Sequence, residues 1–184
     1  MHPVQILMDE HQVILGVLEA LAEKASRLGQ DPFPKEFFVD ALDFFRNFAD
    51  LCHHFKEEDT LFPAMAAQGV PVNGGPIGVM LNDHEFGRAR LREIAENLDG
   101  AAAGDSEAIE AVRTNALRYV QMLQSHIHKE DNILFRIAIN VLDDAEVARL
   151  SRVFNDEENP RINAAVRSKY RLLAEKLTGQ PVSA

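Results

Sequence analysis

The chain of 184 residues carries 29 acidic against 19 basic side chains, and this net charge of −10 would repel nucleic-acid phosphates and anionic lipid. Its single cysteine excludes an intrachain disulfide, and no apolar run approaches the roughly 20 residues of a membrane span. Because no export-signal pattern is visible either, the sequence predicts one cytoplasmic domain with neither nucleic-acid nor membrane partners.

Apolar residues recur at helical spacing along nearly the whole chain, which predicts an all-α fold. The predicted long helices span residues 4–28, 35–62, 77–98 and 107–142, with a short continuation of the second to 68 after a kink at Pro63. Long helices with short connections indicate an up-down-up-down antiparallel four-helix bundle over residues 1–142. Residues 143–184 are predicted to form a short C-terminal helical extension, packed on or beside the bundle.

An internal repeat with an offset of 73 residues connects the two helical hairpins. "LMDEH" at 7–11 aligns with "MLNDH" at 80–84, and "CHHFKEEDTLF" at 52–62 aligns without a gap with "SHIHKEDNILF" at 125–135. The alignment pairs six residues, namely His11 with His84, His53 with His126, and Glu57 with Glu130. The repeat thus places the same polar residues at the same depth of both hairpins.

Helical periodicity separates the adjacent histidines His53 and His54. Residues 4, 8 and 11 positions away from His53 are mostly apolar, whereas the same offsets from His54 reach mainly polar side chains. His53 and Glu57 are therefore predicted to point inward, and His54 and Glu58 to lie on the rim. It stays open whether His54 replaces His53, or Glu58 replaces Glu57, as the residue that binds at the centre.

The inward set comprises His11, His53, Glu57, His84, His126 and Glu130. Two unpaired carboxylates in an apolar interior would each cost several kcal/mol, so this set predicts a pair of bound cations. Mixed imidazole and carboxylate donors suit iron best, with manganese or zinc as weaker alternatives. These donors are too few to occupy every coordination position of two ions, which leaves positions for an oxo or hydroxo bridge and a small exogenous molecule.

At these residues the sequence resembles the hemerythrin-like, or HHE cation-binding, family, over about residues 1–140. "HHFKEEDTLFP" and "HIHKEDNILF" look like that family's two hairpin signatures. The resemblance implies a four-helix bundle with a non-haem di-iron site, held by the same six residues.

The sequence departs from the oxygen-carrying hemerythrins at two places. Those proteins have a further histidine one turn from the third-helix ligand, where this chain has Met80 and Arg88. Their last carboxylate is an aspartate five residues after its histidine, which corresponds here to Asp131 instead of Glu130. The paired glutamates are more similar to the di-iron proteins associated with iron–sulfur cluster repair and nitric oxide stress.

The leading interpretation is a di-iron protein that binds or senses oxygen, nitric oxide or peroxide. The alternatives are an iron donor or storage protein for cluster repair, and a di-iron enzyme that acts on peroxide or nitric oxide. Whether turnover occurs is left open, and so is self-association as a homodimer.

A last expectation concerns Arg136, which replaces the proline of the first hairpin, so that the fourth helix is predicted to continue without a kink.

Overall fold

A computed structural model describes residues 1–30 and 32–181, in which helices are the regular structure and no β-strand occurs. The α-helices in chain order are α1 Pro3–Ser26, α2 Lys35–Phe44, α3 Phe62–Ala67, α4 Pro76–Ala102, α5 Ser106–Lys129, α6 Phe135–Val141, α7 Asp144–Phe154 and α8 Ala164–Thr178. Three π-helical segments, Phe45–His54, Glu57–Leu61 and Glu130–Leu134, lie between them. The all-α prediction is confirmed.

Helix ends follow local capping chemistry. Asp105 accepts hydrogen bonds from the backbone of Glu107 and Ala108 at the start of α5, and Asp143 accepts one from Glu146 at the start of α7. The predicted end of the third long helix at 98 was four residues early. Gly100 lies in this added turn, and its lack of a side chain lets α4 approach α5 closely, since a Cβ on it would lie 3.0 Å from the Cβ of Ala108.

The second long helix is continuous from Lys35 to Ala67 and contains two π-helical segments. Pro63 cannot donate a backbone hydrogen bond, and it stands in the first turn of α3, directly after the second of these segments. The predicted kink at this proline therefore corresponds to a local change of helical winding.

The fourth long helix shows the same change of winding. The π segment Glu130–Leu134 aligns by the 73-residue offset with Glu57–Leu61, although Arg136 takes the place of proline. The helix continues from Ser106 through this segment to Val141, as predicted, and the π turn forms without a proline. That the helix lacks a kink stays a prediction.

Buried apolar side chains form two clusters with a polar layer between them. One cluster takes the middle of α1, the start of the second long helix and the facing parts of α4 and α5. The other takes Val4 and Leu7 of α1, Leu61 to Met65, Ile77 and Met80 of α4, and the chain from Leu134 to Phe154. Five of the six predicted inward residues fall between the two clusters along their helices, and the sixth, His126, adjoins Ile127 at the edge of the first cluster.

The helices that carry the polar layer pack side by side, α4 along α5 and α5 along α1. In the C-terminal part of the chain, α8 lies against α1 and α2, and its residues Tyr170, Ala174 and Leu177 are buried in the larger cluster. None of the described helices is long and apolar enough to cross a membrane.

Candidate metal centre

Four imidazoles meet in the polar layer as two pairs. The Nε2 atoms of His11 and His53 lie 3.0 Å apart, and those of His84 and His126 lie 3.1 Å apart. Two donors bound at right angles to one ion at about 2.1 Å are separated by about 3 Å. Each pair thus has the spacing of neighbouring ligands on one ion.

The two glutamates lie between the histidine pairs. Glu57 places Oε1 3.4 Å from His53 Nε2 and Oε2 3.5 Å from His84 Nε2, so its two oxygens face different pairs. Glu130 Oε2 lies 3.3 Å from His11 Nε2 and 3.2 Å from His126 Nε2. Both carboxylates are therefore placed to bridge two ions.

The carboxylates also provide a test of whether cations fit this site. Glu57 and Glu130 are fully buried, and among the described residues no group makes a hydrogen bond to any of their four oxygens. Leaving buried charged oxygens without a hydrogen bond is expensive, whereas cations would use all four. The donor set therefore fits bound metal.

The outer nitrogen of each imidazole is held by a further carboxylate. These Nδ1 contacts are His11 to Asp131 at 2.7 Å, His53 to Glu10 at 2.9 Å, His84 to Glu58 at 2.6 Å and His126 to Asp83 at 3.4 Å. A carboxylate accepts the Nδ1–H, which leaves the Nε2 lone pair directed at the centre. This is the usual arrangement around metal-binding histidines.

The 73-residue repeat extends to these outer contacts and to the rings above them. Glu10 and Asp83 are repeat partners, as are Glu58 and Asp131, and each holds the histidine that the repeat predicts. Phe135 stacks on His11 at 5.5 Å between ring centroids, and its partner Phe62 stacks on His84 at 6.2 Å. The two halves of the centre are related by an approximate twofold symmetry.

A buried lysine breaks that symmetry on one side. Lys56 is fully buried and donates a hydrogen bond to Glu10, with its Nζ also 3.5 Å from the Sγ of Cys52. Burial alone would raise the pKa of Glu10, but the ammonium of Lys56 and the contact with His53 lower it to about 2. Glu10 therefore stays ionised between Lys56 and His53.

Without metal, the charges of the two glutamates raise the pKa values of the imidazoles that face them. Burial would lower the pKa of His53, but the charge of Glu57 raises it to about 9. Burial likewise opposes the charged form of His126, and Glu130 raises its pKa to about 10. In the metal-free protein these two imidazoles carry protons that a metal ion must displace.

The structure brings the six predicted residues together, and it corrects one neighbouring assignment. Glu58 is partly exposed at the rim, which confirms its predicted place, but His54 is only 6% exposed and stacks on His84 with ring centroids 3.7 Å apart. The rim prediction for His54 was wrong, because the extra residue per turn of the π segment Phe45–His54 rotates the buried face away from the 3.6-residue pattern.

The sequence predictions also missed the outer carboxylates and the buried lysine. Glu10 and Asp83 were not singled out, and Asp131 was named only as the counterpart of the hemerythrin aspartate, although each directly adjoins an inward residue and obeys the repeat. The repeat aligns Lys56 with Lys129, but nothing in the sequence indicated that only Lys56 is buried.

Comparison with known proteins places this geometry in a family. The hemerythrin HHE cation binding domain matches residues 2–138. The chain belongs to the hemerythrin HHE cation-binding family. The uncharacterized protein Rv1995 of Mycobacterium tuberculosis is 26% identical to this hemerythrin-like chain over 160 residues, which cover 86% of the chain and 62% of that relative.

Other relatives of this hemerythrin-like chain bear a functional name. The iron-sulfur cluster repair protein YtfE of Dickeya chrysanthemi is 30% identical over 142 residues, covering 75% of the chain and 63% of YtfE. YtfE of Yersinia pestis strain Pestoides F is 28% identical over 136 residues, with 71% and 60% covered. The chain thus spans about three-fifths of the length of these curated relatives. No solved structure matches it.

Proposed function

We propose that this hemerythrin-like protein holds two iron ions and binds a small diatomic ligand or peroxide at them. One observation carries the proposal: Glu57 and Glu130 are buried, lack hydrogen bonds and lie between two imidazole pairs. His11 and His53 would hold one ion, His84 and His126 the other, and the two glutamates would bridge them. Iron suits these mixed donors better than manganese or zinc.

The proposed arrangement includes the up-down-up-down bundle. Side-by-side packing of α4 with α5 and of α5 with α1 supports it, as does the 73-residue repeat of one hairpin in the other. In such a bundle each long helix contributes one histidine at the same depth. The polar layer between two apolar clusters would then be the metal layer.

The surrounding residues of this chain would orient the donors and exclude bulk water. The four Nδ1 carboxylates fix the imidazole orientations, while Phe62 and Phe135 cover His84 and His11. When bound, the iron pair supplies redox chemistry and open coordination positions, with room for an oxo or hydroxo bridge. The apolar clusters on both sides restrict access to small molecules.

Metal content is the first test. Protein purified from cells without added metal should contain about two irons per chain by elemental analysis, as two donor pairs require. Nitric oxide, oxygen and peroxide are then titrated against the iron-loaded protein under anaerobic control. A reversible spectral change without consumption supports ligand binding, steady consumption supports an enzyme, and a folded protein without metal would contradict the proposal.

Iron donation for cluster repair is the second candidate, favoured by the YtfE relatives. The exposed side of the centre has carboxylates at its rim that could pass an ion outward, Glu58 and Asp131 among them. Transfer of radiolabelled iron to a cluster-free acceptor protein, faster than release to buffer, would favour donation. Equal rates with and without the acceptor would rule it out.

A further inference from the structure

A buried ion pair lies behind His53, on the side of the imidazole that faces away from the centre. Lys56, whose side chain is 1% exposed, donates a hydrogen bond to Oε1 of Glu10. The other oxygen of this carboxylate, Oε2, lies 2.9 Å from Nδ1 of His53. The ammonium of Lys56 is thus connected to the proposed centre through one carboxylate and one imidazole.

The second hairpin has the same two residue types in contact, but at the surface. The side chains of Lys129 and Asp83 are 33% and 22% exposed, against 1% and 9% for Lys56 and Glu10. The contact of Asp83 with Nδ1 of His126 is also longer, at 3.4 Å. Because water and salt screen charges at the surface far more than buried ones, Lys56 acts more strongly on its half of the centre than Lys129 does.

Stability does not account for the buried lysine. Replacement of a buried ion pair by apolar side chains of similar volume is often neutral or stabilising, because both charges lose their hydration on folding. The other polar contact of Lys56 Nζ is the Sγ atom of Cys52 at 3.5 Å, which is a weak acceptor. The charge of Lys56 therefore indicates a function, and the group that it reaches is the imidazole of His53.

This charge affects bound iron in two ways that have the same sign. A positive charge nearby opposes iron(III) more than iron(II), because the oxidised ion carries the larger positive charge. The ammonium also weakens Glu10 as an acceptor for the Nδ1–H of His53, and a weaker acceptor makes Nε2 a less basic donor. Both effects favour iron(II) over iron(III).

We propose that Lys56 raises the reduction potential of the two-iron centre and so shifts its iron toward iron(II). The inference rests on the proposed function, since it requires bound iron, and it deepens that function because iron(II) is the form that reacts with oxygen. Lys56 acts through Glu10 and His53 without contacting the ions, so it is a positioning residue. Lys129, which water screens, contributes less.

A potentiometric titration of the iron-loaded full chain at constant pH tests the proposal. Lys56→Gln keeps a hydrogen-bond donor for Glu10 but removes the charge. Its midpoint potential should fall by about 59 mV or more, which is a tenfold change in the ratio of iron(III) to iron(II). Lys56→Arg restores the charge and should lie closer to the wild type than Lys56→Gln. Lys129→Gln is the matched control and should shift the midpoint by less than half as much.

The outcomes separate the role of Lys56 from the proposed function. An unchanged or raised midpoint in Lys56→Gln, or equal shifts in Lys56→Gln and Lys129→Gln, would overturn the role of Lys56. If Lys56→Gln does not fold, the same substitution is made in Glu10→Gln, where no carboxylate loses its partner, and the midpoint should again fall relative to Glu10→Gln alone. A folded wild-type chain without iron would instead remove the proposed function itself.

Discussion

The repeat provides a pair of carboxylates in different surroundings, Glu10 and Asp83. Glu10 pairs with Lys56, whose side chain is 1% exposed, whereas Asp83 pairs with Lys129, whose side chain is 33% exposed. Both carboxylates also face a histidine of the centre. The same substitution at the two positions therefore separates the effect of burial from that of the lost histidine contact.

Glu10→Ala should lower the free energy of unfolding of the metal-free protein by about 3–5 kcal/mol, because the buried ammonium of Lys56 loses its partner. Asp83→Ala should cost about 1 kcal/mol or less, since water reaches Lys129. Urea unfolding at pH 7 measures both. Because the pKa of Glu10 is lowered to about 2, its contribution is present above pH 4.5 and is lost as the pH falls through about 2. Equal losses in the two variants would contradict the burial argument.

Glu57 contacts both histidine pairs, so its loss should affect both ions of the proposed centre. Glu57→Ala is expected to weaken iron binding by more than the 10–100-fold (about 1.4–2.7 kcal/mol) typical of an outer partner. Elemental analysis after dialysis against a weak chelator measures the retained iron. Glu85→Ala, on the exposed side of α4 next to His84, serves as the control and should retain wild-type iron. Full iron retention by Glu57→Ala would remove its role as a bridge.

At the scale of helices, the π turns decide how the donors are presented. Glu57 and Glu130 are each the first residue of a five-residue π segment, and the two segments are repeat partners. A π turn holds one more residue than an α turn, so the chain beyond each glutamate is rotated relative to the chain before it. The apolar residues Leu61 and Leu134 are thereby directed into the second core cluster.

Pro63→Ala tests what causes the π turn in the first hairpin. Because the second hairpin forms the same turn with Arg136, the variant should retain its iron and change the free energy of unfolding by less than about 1 kcal/mol. Iron content and urea unfolding are the measurements. Loss of most of the iron would show that the proline maintains the geometry of Glu57 after all.

The same turns explain where sequence reasoning succeeded and where it failed. The offset of 73 residues identified His11, His53, Glu57 and their partners, because it compares positions without assuming a helical period. The position of His54 was inferred from a period of 3.6 residues, which does not hold across the ten-residue π segment that ends at this residue. Pairing across helices, such as that of Lys56 with Glu10, depends on packing that no local pattern encodes.

At the scale of the whole molecule, the polar layer with the proposed metal centre lies between two hydrophobic clusters, so metal binding should contribute to folding. Metal-free protein, prepared by complete chelation, should unfold at a lower temperature than the iron-loaded form.

In the metal-free protein the raised pKa values of His53 and His126 favour pairing with Glu57 and Glu130. This contribution is fully present below the unfolded pKa of about 6.5 and is lost as the pH rises through about 9 and 10.

Iron bound at the proposed centre would compete with protons for the same nitrogens, which fixes the sign of the pH dependence. Each proton displaced weakens iron binding about tenfold per pH unit below the pKa of its imidazole. The difference in melting temperature between iron-loaded and metal-free protein should accordingly widen from pH 6 to pH 8.5. Thermal unfolding of both forms across this range measures it, with Glu57→Ala as a control that should show little difference at any pH. A constant gap in the wild type would mean that His53 and His126 carry no protons to displace.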